Sequence, residues 1–309
     1  MNVSSRLACL AFATISLALT GCVGGGMLPG ASALPVPARV PSSATLASCT
    51  GRAPQPTNTT WTVDVGGRER TFVVHVPPSY DPSKPTPLVL NFHGYLMSPK
   101  WEEWLTSMST KSDAAGFLLV YPKGTGTPLS FNAGGCCGDA KSDDVDDVGF
   151  TRTMLDRLEA DLCVDPKRVY ATGMSNGGFM SHRLACEMSD RIAAIAPVAG
   201  LSTAPTCAIT RAVSVLDFHG LEDPIVPYEG GTRFHWPSVN QSIDGWVARD
   251  GCVGPGVVTS IDGDVHCVRH AHCRDGAEVT LCMVLDGGHT WPGGRDIPRS
   301  SEGGRRRTR

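Results

Sequence analysis

The chain has 309 residues, with 27 Lys and Arg against 30 Asp and Glu and a formal net charge of −3. At 41% hydrophobic and 18% charged residues it is globular in composition, which excludes wholesale disorder, and its length suits one large α/β domain or two small ones. Residues 295–309 carry +4 and the remainder −7, so the chain lacks the dense basic surface of a phosphate binder, and nucleic acid is not an expected partner.

Twelve cysteines point to an oxidising compartment, and the amino terminus agrees. Met1–Arg6 supplies one positive charge, and Leu7–Thr20 is an uncharged, mostly apolar run too short for a comfortable membrane span. The run ends in Leu19-Thr20-Gly21-Cys22, which resembles the bacterial lipobox. Residues 1–21 are therefore expected to be a lipoprotein signal peptide, with Cys22 lipidated to hold an exported protein on the outer face of the membrane. An ordinary signal cleaved near Ala33, giving a secreted protein, is the alternative. Loss of Cys9 and lipidation of Cys22 would leave ten cysteines, enough for five disulfides that sequence alone does not pair.

Residues 22–57 are rich in Gly, Pro, Ala and Ser and read as a flexible spacer. Residues 58–294 form one expected domain, and 295–309 a basic, disordered tail. Trp61–Val65 and Arg70–Val76 alternate around Gly66-Gly67, a hairpin signal. Leu88–Phe92, Phe117–Tyr121, Val169–Thr172, Ile192–Val198, Val213–Phe218 and Val279–Leu285 are short, nearly continuous apolar runs. Such runs suit parallel strands buried on both faces. Between them, Val145, Val148, Met154, Leu155, Leu158 and Leu162 make a helical stripe with Asp143 as its expected cap, and Phe179, Met180 and Leu184 make another. The alternation implies an open, mainly parallel α/β sheet with ligands at the strand carboxyl ends.

Gly173-Met174-Ser175-Asn176-Gly177 fits the G-x-S-x-G pattern, between a buried-type strand and an amphipathic helix. A sharp strand-to-helix turn exposes such a serine, and the helix amino terminus behind it favours developing negative charge. A neutral serine needs a base, and the base an orienting acid. His289, in Gly287-Gly288-His289-Thr290-Trp291 after the last strand, is the expected base. Asp223, in Gly220-Leu221-Glu222-Asp223-Pro224, is the expected acid. Asp217, Glu222 and Asp286 are rivals, Glu222 the nearest. For the oxyanion, the backbone N–H groups of Asn176 and of Tyr95, in His93-Gly94-Tyr95 after an early strand, are the expected donors. His93 and His219 read as structural. No metal or organic cofactor is expected.

These motifs resemble the polyhydroxybutyrate depolymerase and feruloyl esterase group, close to carbohydrate esterase family 1. With the lipobox, the likeness is nearest to LpqC-type esterase lipoproteins. It covers roughly residues 60–294 and rests on Pro87–Leu90 before His93-Gly94, Gly135-Cys136-Cys137-Gly138, Val145–Phe150, Arg168–Gly178, His219–Tyr228 and Gly288–Gly293. The resemblance implies an α/β-hydrolase fold with helices on both faces and a serine carboxylester hydrolase with Ser175, Asp223 and His289 as nucleophile, acid and base. It further implies a hydroxyalkanoate, feruloyl or other acyl ester as substrate. A helix normally follows the histidine loop in this fold, yet residues 295–309 hold one large apolar side chain, Ile297, so that helix is expected to be missing. A non-catalytic binding lipoprotein on the same scaffold is the rival reading.

Other signals weigh less. Asp143, Asp144, Asp146 and Asp147 lack the spacing of a calcium loop and suit a helix amino terminus. His266, Cys267, His270, His272 and Cys273 look like zinc ligands, but disulfides fit an oxidised compartment better. Adjacent Cys136 and Cys137 are expected to enter two different bridges. Trp101, Trp104 and Trp246 read as core or helix-packing residues. Trp236 and Trp291 fall in loops, and Trp291 is a candidate wall on the acyl or leaving-group side.

Overall fold

The six apolar runs form the parallel centre of one ten-stranded sheet. In the computed structural model, which describes residues 49, 55–204, 206–231 and 234–295, the strands are β1 (Thr59–Val65), β2 (Arg68–His75), β3 (Thr86–Phe92), β4 (Leu118–Pro122), β5 (Val164–Met174), β6 (Ala194–Val198), β7 (Ser214–Gly220), β8 (Val257–Asp262), β9 (Val265–His270) and β10 (Val279–Val284). Their order is β1-β2-β4-β3-β5-β6-β7-β10-β9-β8. Strands β4, β3, β5, β6, β7 and β10 pair in parallel, and an antiparallel hairpin flanks them at each end. The fold is an α/β hydrolase, as the sequence implies. The signal peptide, Cys22, most of the spacer, Ile297 and nearly all of the basic tail lie outside the described residues. Within the expected spacer, Cys49 is bridged to Cys163, so a covalent tie to the domain precedes residue 58.

The helices are α1 (Pro99–Thr106), α2 (Met108–Ala115), α3 (Gly138–Ser142), α4 (Asp147–Asp161), α5 (Asn176–Glu187) and α6 (Val239–Asp250). Leu88, Leu90 and Phe92 on one face of β3 join the main core with Phe150 and Leu158 of α4, Phe179, Met180 and Leu184 of α5, and Ile243 and Trp246 of α6. Each fully buried side chain of this kind contributes about 1.5–3 kcal/mol. On the other face, Asn91 reaches Thr106 and Met108 at the α1–α2 junction, and Ser109 meets the Tyr121 hydroxyl. Among the described residues, helices cover both faces, the second one incompletely. Among the described residues no helix follows β10, and Leu216 of β7 remains 40% exposed. The open stretch holds a cavity of about 380 Å³ lined by Val89, Tyr170, Ala194, Ala196, Phe218 and Trp291, among others.

Several sequence expectations need correction. The cap of α4 is Asp146, whose carboxylate accepts the Gly149 N–H, and not Asp143, because the chain turns once more through α3 before the helix begins. Trp101 is no core residue: it lies on the outer side of α1 and is 45% exposed, whereas Trp246 is fully buried. Cys136 and Cys137 bond to each other. The other eight described cysteines are taken up in Cys49–Cys163, Cys186–Cys207, Cys252–Cys273 and Cys267–Cys282, leaving the adjacent pair no other partner among the described residues. The last two of those bridges claim the cysteines of the zinc-like cluster. They staple the β8–β9 hairpin and its approach to β10, a hairpin that sequence reading passed over.

Candidate active site

The Ser175 turn is built by close backbone packing. Ser175 has φ 56° and ψ −119°, a strained conformation for a residue with a Cβ, at the amino-terminal cap of α5. Its N–H donates to Val198 O at 2.8 Å, anchoring the turn to the end of β6. Gly177 crosses the end of β3 so closely that a Cβ there would lie 1.9 Å from Phe92 O, and one at Gly173 would lie 2.3 Å from the same oxygen. Only glycine allows both approaches.

Asp223 and His289 meet at the neighbouring strand ends. His289 Nδ1 lies 2.7 Å from Asp223 Oδ2, while Asp223 Oδ1 accepts the N–H groups of Ile225 at 2.8 Å and Val226 at 2.9 Å. Burial pushes the Asp223 carboxyl up, but the His289 hydrogen bond and charge and the two amides outweigh it, holding the group below the usual carboxylate range. Backbone contacts lock the two loops together: Leu221 N–H donates to Val284 O and Glu222 N–H to Gly287 O. The rival acids are placed elsewhere. Asp217 is wholly buried within β7 and faces His182, and the side chains of Glu222 and Asp286 are exposed.

Ser175 approaches this pair through the packing around it. Trp291, two residues past His289, packs with Met174, Val198 and Phe218, at the carboxyl ends of β5, β6 and β7, together with Leu105 and Trp104 of α1. It also lines the cavity on the open face of the sheet. Ser175 directly follows Met174, so the serine and the histidine loop share one rim. Among the described residues no hydrogen bond joins the Ser175 hydroxyl to His289.

The loop after β3, which carries Tyr95, borders the Ser175 turn and is firmly braced. His93 is fully buried and donates Nδ1–H to Gly94 O at 2.8 Å while its Nε2 accepts the Gly124 N–H at 3.0 Å. That pairing fixes one neutral tautomer, and burial lowers its pKa to about 4. His219 likewise donates to Val226 O at 2.8 Å and braces the acid loop. Neither the Tyr95 nor the Asn176 N–H has a backbone acceptor among the described residues. The Tyr95 ring packs against Gly138.

Sequence reasoning missed what the Asn176 side chain does. Its Oδ1 accepts the Phe131 N–H at 2.7 Å and its Nδ2 donates to Phe131 O at 2.9 Å, clamping the Phe131–Gly138 loop that holds the Cys136–Cys137 bridge. The same loop is gripped from behind by Asp147, which accepts Asn132 N–H and pairs with Arg70 in a buried ion pair. Glu102 was also missed. Its carboxyl is completely buried beneath the Gly94 loop, without a hydrogen-bond partner among the described residues, and burial holds it well above the usual carboxylate range although the Gly94 amide lowers it somewhat.

Known proteins resemble the chain in sequence and in fold. NocK of Nocardia uniformis subsp. tsuyamanensis, which carries the name of an esterase, is 31% identical over 267 residues, covering 77% of this chain and 75% of its own. The chain belongs to the esterase family that includes NocK. Feruloyl esterase B of Piromyces equi is 30% identical over 236 residues, 71% of this chain, and the match spans only 42% of that larger protein. The solved acetyl xylan esterase from Aspergillus awamori superposes with a TM-score of 0.55 at 15% identity, covering 76% of this chain and 95% of that one, a likeness of fold. No protein-family model matches the chain. Its esterase relatives make this family member a carboxylic ester hydrolase.

Proposed function

We propose that the chain is an exported serine esterase working through Ser175, His289 and Asp223. Ser175 Oγ attacks the ester carbonyl as His289 Nε2 takes the hydroxyl proton, with Asp223 holding Nδ1–H and balancing the imidazolium. The N–H groups of Tyr95 and Asn176 receive the oxyanion. Collapse of the tetrahedral adduct breaks the ester C–O bond, and His289 returns its proton to the departing alcohol. Water, deprotonated by His289, then releases the acid and restores Ser175. The observation that carries this reading is the 2.7 Å contact between His289 Nδ1 and Asp223 Oδ2 on the rim where the strained Ser175 turn stands.

The relatives' names support feruloyl, acetyl or related acyl esters as substrates, with hydroxyalkanoate esters a further member of the same chemistry. Trp291 would form one wall of the site. Five disulfides support an oxidising location, and Cys22 would anchor the protein to the membrane. Fluorophosphonate labelling tests the mechanism. The reagent should modify Ser175, and Ser175→Ala should lose both labelling and hydrolysis of a short aryl ester. Undiminished hydrolysis in that variant would defeat it.

A further inference from the structure

We infer that His182 is a positioning residue for this reaction, fixing the helix that carries Ser175 against the strand that leads to Asp223 through a buried Trp246–His182–Asp217 relay. The inference rests on the serine-esterase reading above. Trp246 Nε1 lies 2.9 Å from His182 Nδ1, and His182 Nε2 lies 3.1 Å from Asp217 Oδ2. The indole and imidazole planes are nearly parallel, 20° apart, with centroids 6.1 Å apart, and all three side chains are 0% exposed.

The chemistry permits one arrangement. An indole N–H only donates, so His182 Nδ1 must present its lone pair, which puts the proton on Nε2 and aims it at Asp217. The imidazole is thus neutral, oriented from both sides, and used at both nitrogens. Asp217 has no other hydrogen bond: its Oδ1 is buried without a partner among the described residues. Removing the His182 donor would leave a buried carboxylate with nothing to accept from, a situation that displaces the elements carrying it.

Those elements carry the reaction. His182 lies on α5 about two turns beyond Ser175. Asp217 lies on β7 just ahead of the Asp223 loop, and the end of β7 holds the His289 loop through Leu221 N–H to Val284 O and Glu222 N–H to Gly287 O. A shift of α5 relative to β7 therefore changes the separation of Ser175 from the Asp223–His289 pair as a unit. That separation is the one link of the proposed triad without a hydrogen bond, and catalysis is sensitive to misplacement on the order of 1 Å.

The test compares His182→Phe, His182→Gln, Trp246→Phe and Ser175→Ala in the full chain, each assayed on a short aryl ester well below its own melting temperature. His182→Phe and Trp246→Phe should lower kcat by about 10-fold or more with KM changed less than about twofold, as expected when groups are misplaced rather than substrate binding lost. His182→Gln, which offers Asp217 an N–H near the position of Nε2, should recover most of the loss. Parental kcat in folded His182→Phe and Trp246→Phe would overturn the inference, as would a His182→Gln variant as slow as His182→Phe. Should His182→Phe fail to fold, Trp246→Phe decides alone. If Ser175→Ala hydrolyses at the parental rate, the serine-esterase reading itself fails. If Ser175→Ala is inert and the relay variants are fully active, only the positioning role fails.

Discussion

Asp223 spends its two carboxylate oxygens differently: Oδ2 faces His289 Nδ1 at 2.7 Å, and Oδ1 is held by the amides of Ile225 and Val226. The backbone thus fixes the acid in place independently of its partner, 66 positions away in sequence. One oxygen sets the orientation and leaves the other for His289.

The first prediction follows directly. In Asp223→Asn the side chain keeps an oxygen for the two amides, but its NH₂ faces His289 Nδ1 and demands the opposite tautomer. The expected outcome is a fall in kcat on the order of 10³–10⁴-fold with little change in KM or melting temperature. Steady-state kinetics on a short aryl ester, with a thermal melt alongside, check it. A loss confined to KM would contradict an orienting role.

His93 makes a stability prediction with a definite sign. Burial lowers its pKa from 6.5 to about 4, so between those values the unfolded chain binds a proton that the folded chain refuses. This contribution is complete above pH 6.5 and is lost as pH falls toward 4, amounting to about 3 kcal/mol. His93→Gln, which can both donate and accept, should flatten that part of the profile when urea unfolding is measured at several pH values across the window. A profile identical to the parent's would show that His93 does not supply it.

Asp250 acts in the opposite direction. It is 0% exposed, with Oδ1 accepting Val213 N–H at 3.1 Å and Oδ2 without a partner among the described residues, and burial raises its pKa to about 6 against the relief from that amide and from Arg274 and Arg249. Here the folded chain holds the proton longer than the unfolded one, so stability declines as pH rises from about 4 through 6. Asp250→Asn should therefore stabilise the protein at pH 7 by about 1–3 kcal/mol and change little at pH 4. Urea midpoints at the two pH values check it, and equal effects at both would refute it.

Much of this site is legible in the sequence because burial leaves a mark there. Strands β3, β5, β7 and β10 lie inside the sheet and pack one face on the main core, so they read as apolar runs, and the Ser175 turn needs glycines that sequence displays. Strand β8 is exposed along its whole length and carries no such pattern, which is why the β8–β9 hairpin stayed hidden behind an apparent metal cluster. The sequence favours Asp223 with Glu222 a near rival, and only the fold shows which carboxylate turns inward: Asp223 is buried and Glu222 exposed. The His182–Asp217 contact was also hidden, because each residue looks like an isolated polar group in an apolar element. Their joint signal, two polar residues in segments otherwise destined for the core, becomes meaningful only once the fold brings His182 of α5 to Asp217 of β7.

Gly177 offers the sharpest check on how the nucleophile turn is built. A Cβ there would meet Phe92 O at 1.9 Å and Phe92 C at 2.6 Å, contacts with backbone that no side-chain rotation can relieve. Gly177→Ala must push the start of α5 away from the end of β3. It should cost at the upper end of the roughly 1–3 kcal/mol typical of overpacking. Because the displaced segment begins two residues after Ser175 and borders the His93–Tyr95 loop, the same shift should widen the gap between nucleophile and oxyanion donors. Hydrolysis and fluorophosphonate labelling should therefore fall together, even in protein that remains folded. Gly288→Ala is the matched control: it adjoins His289, but a Cβ there meets nothing within 4 Å, so urea stability should match the parent. An active, fully stable Gly177→Ala variant would mean that α5 does not approach β3 as closely as this turn requires.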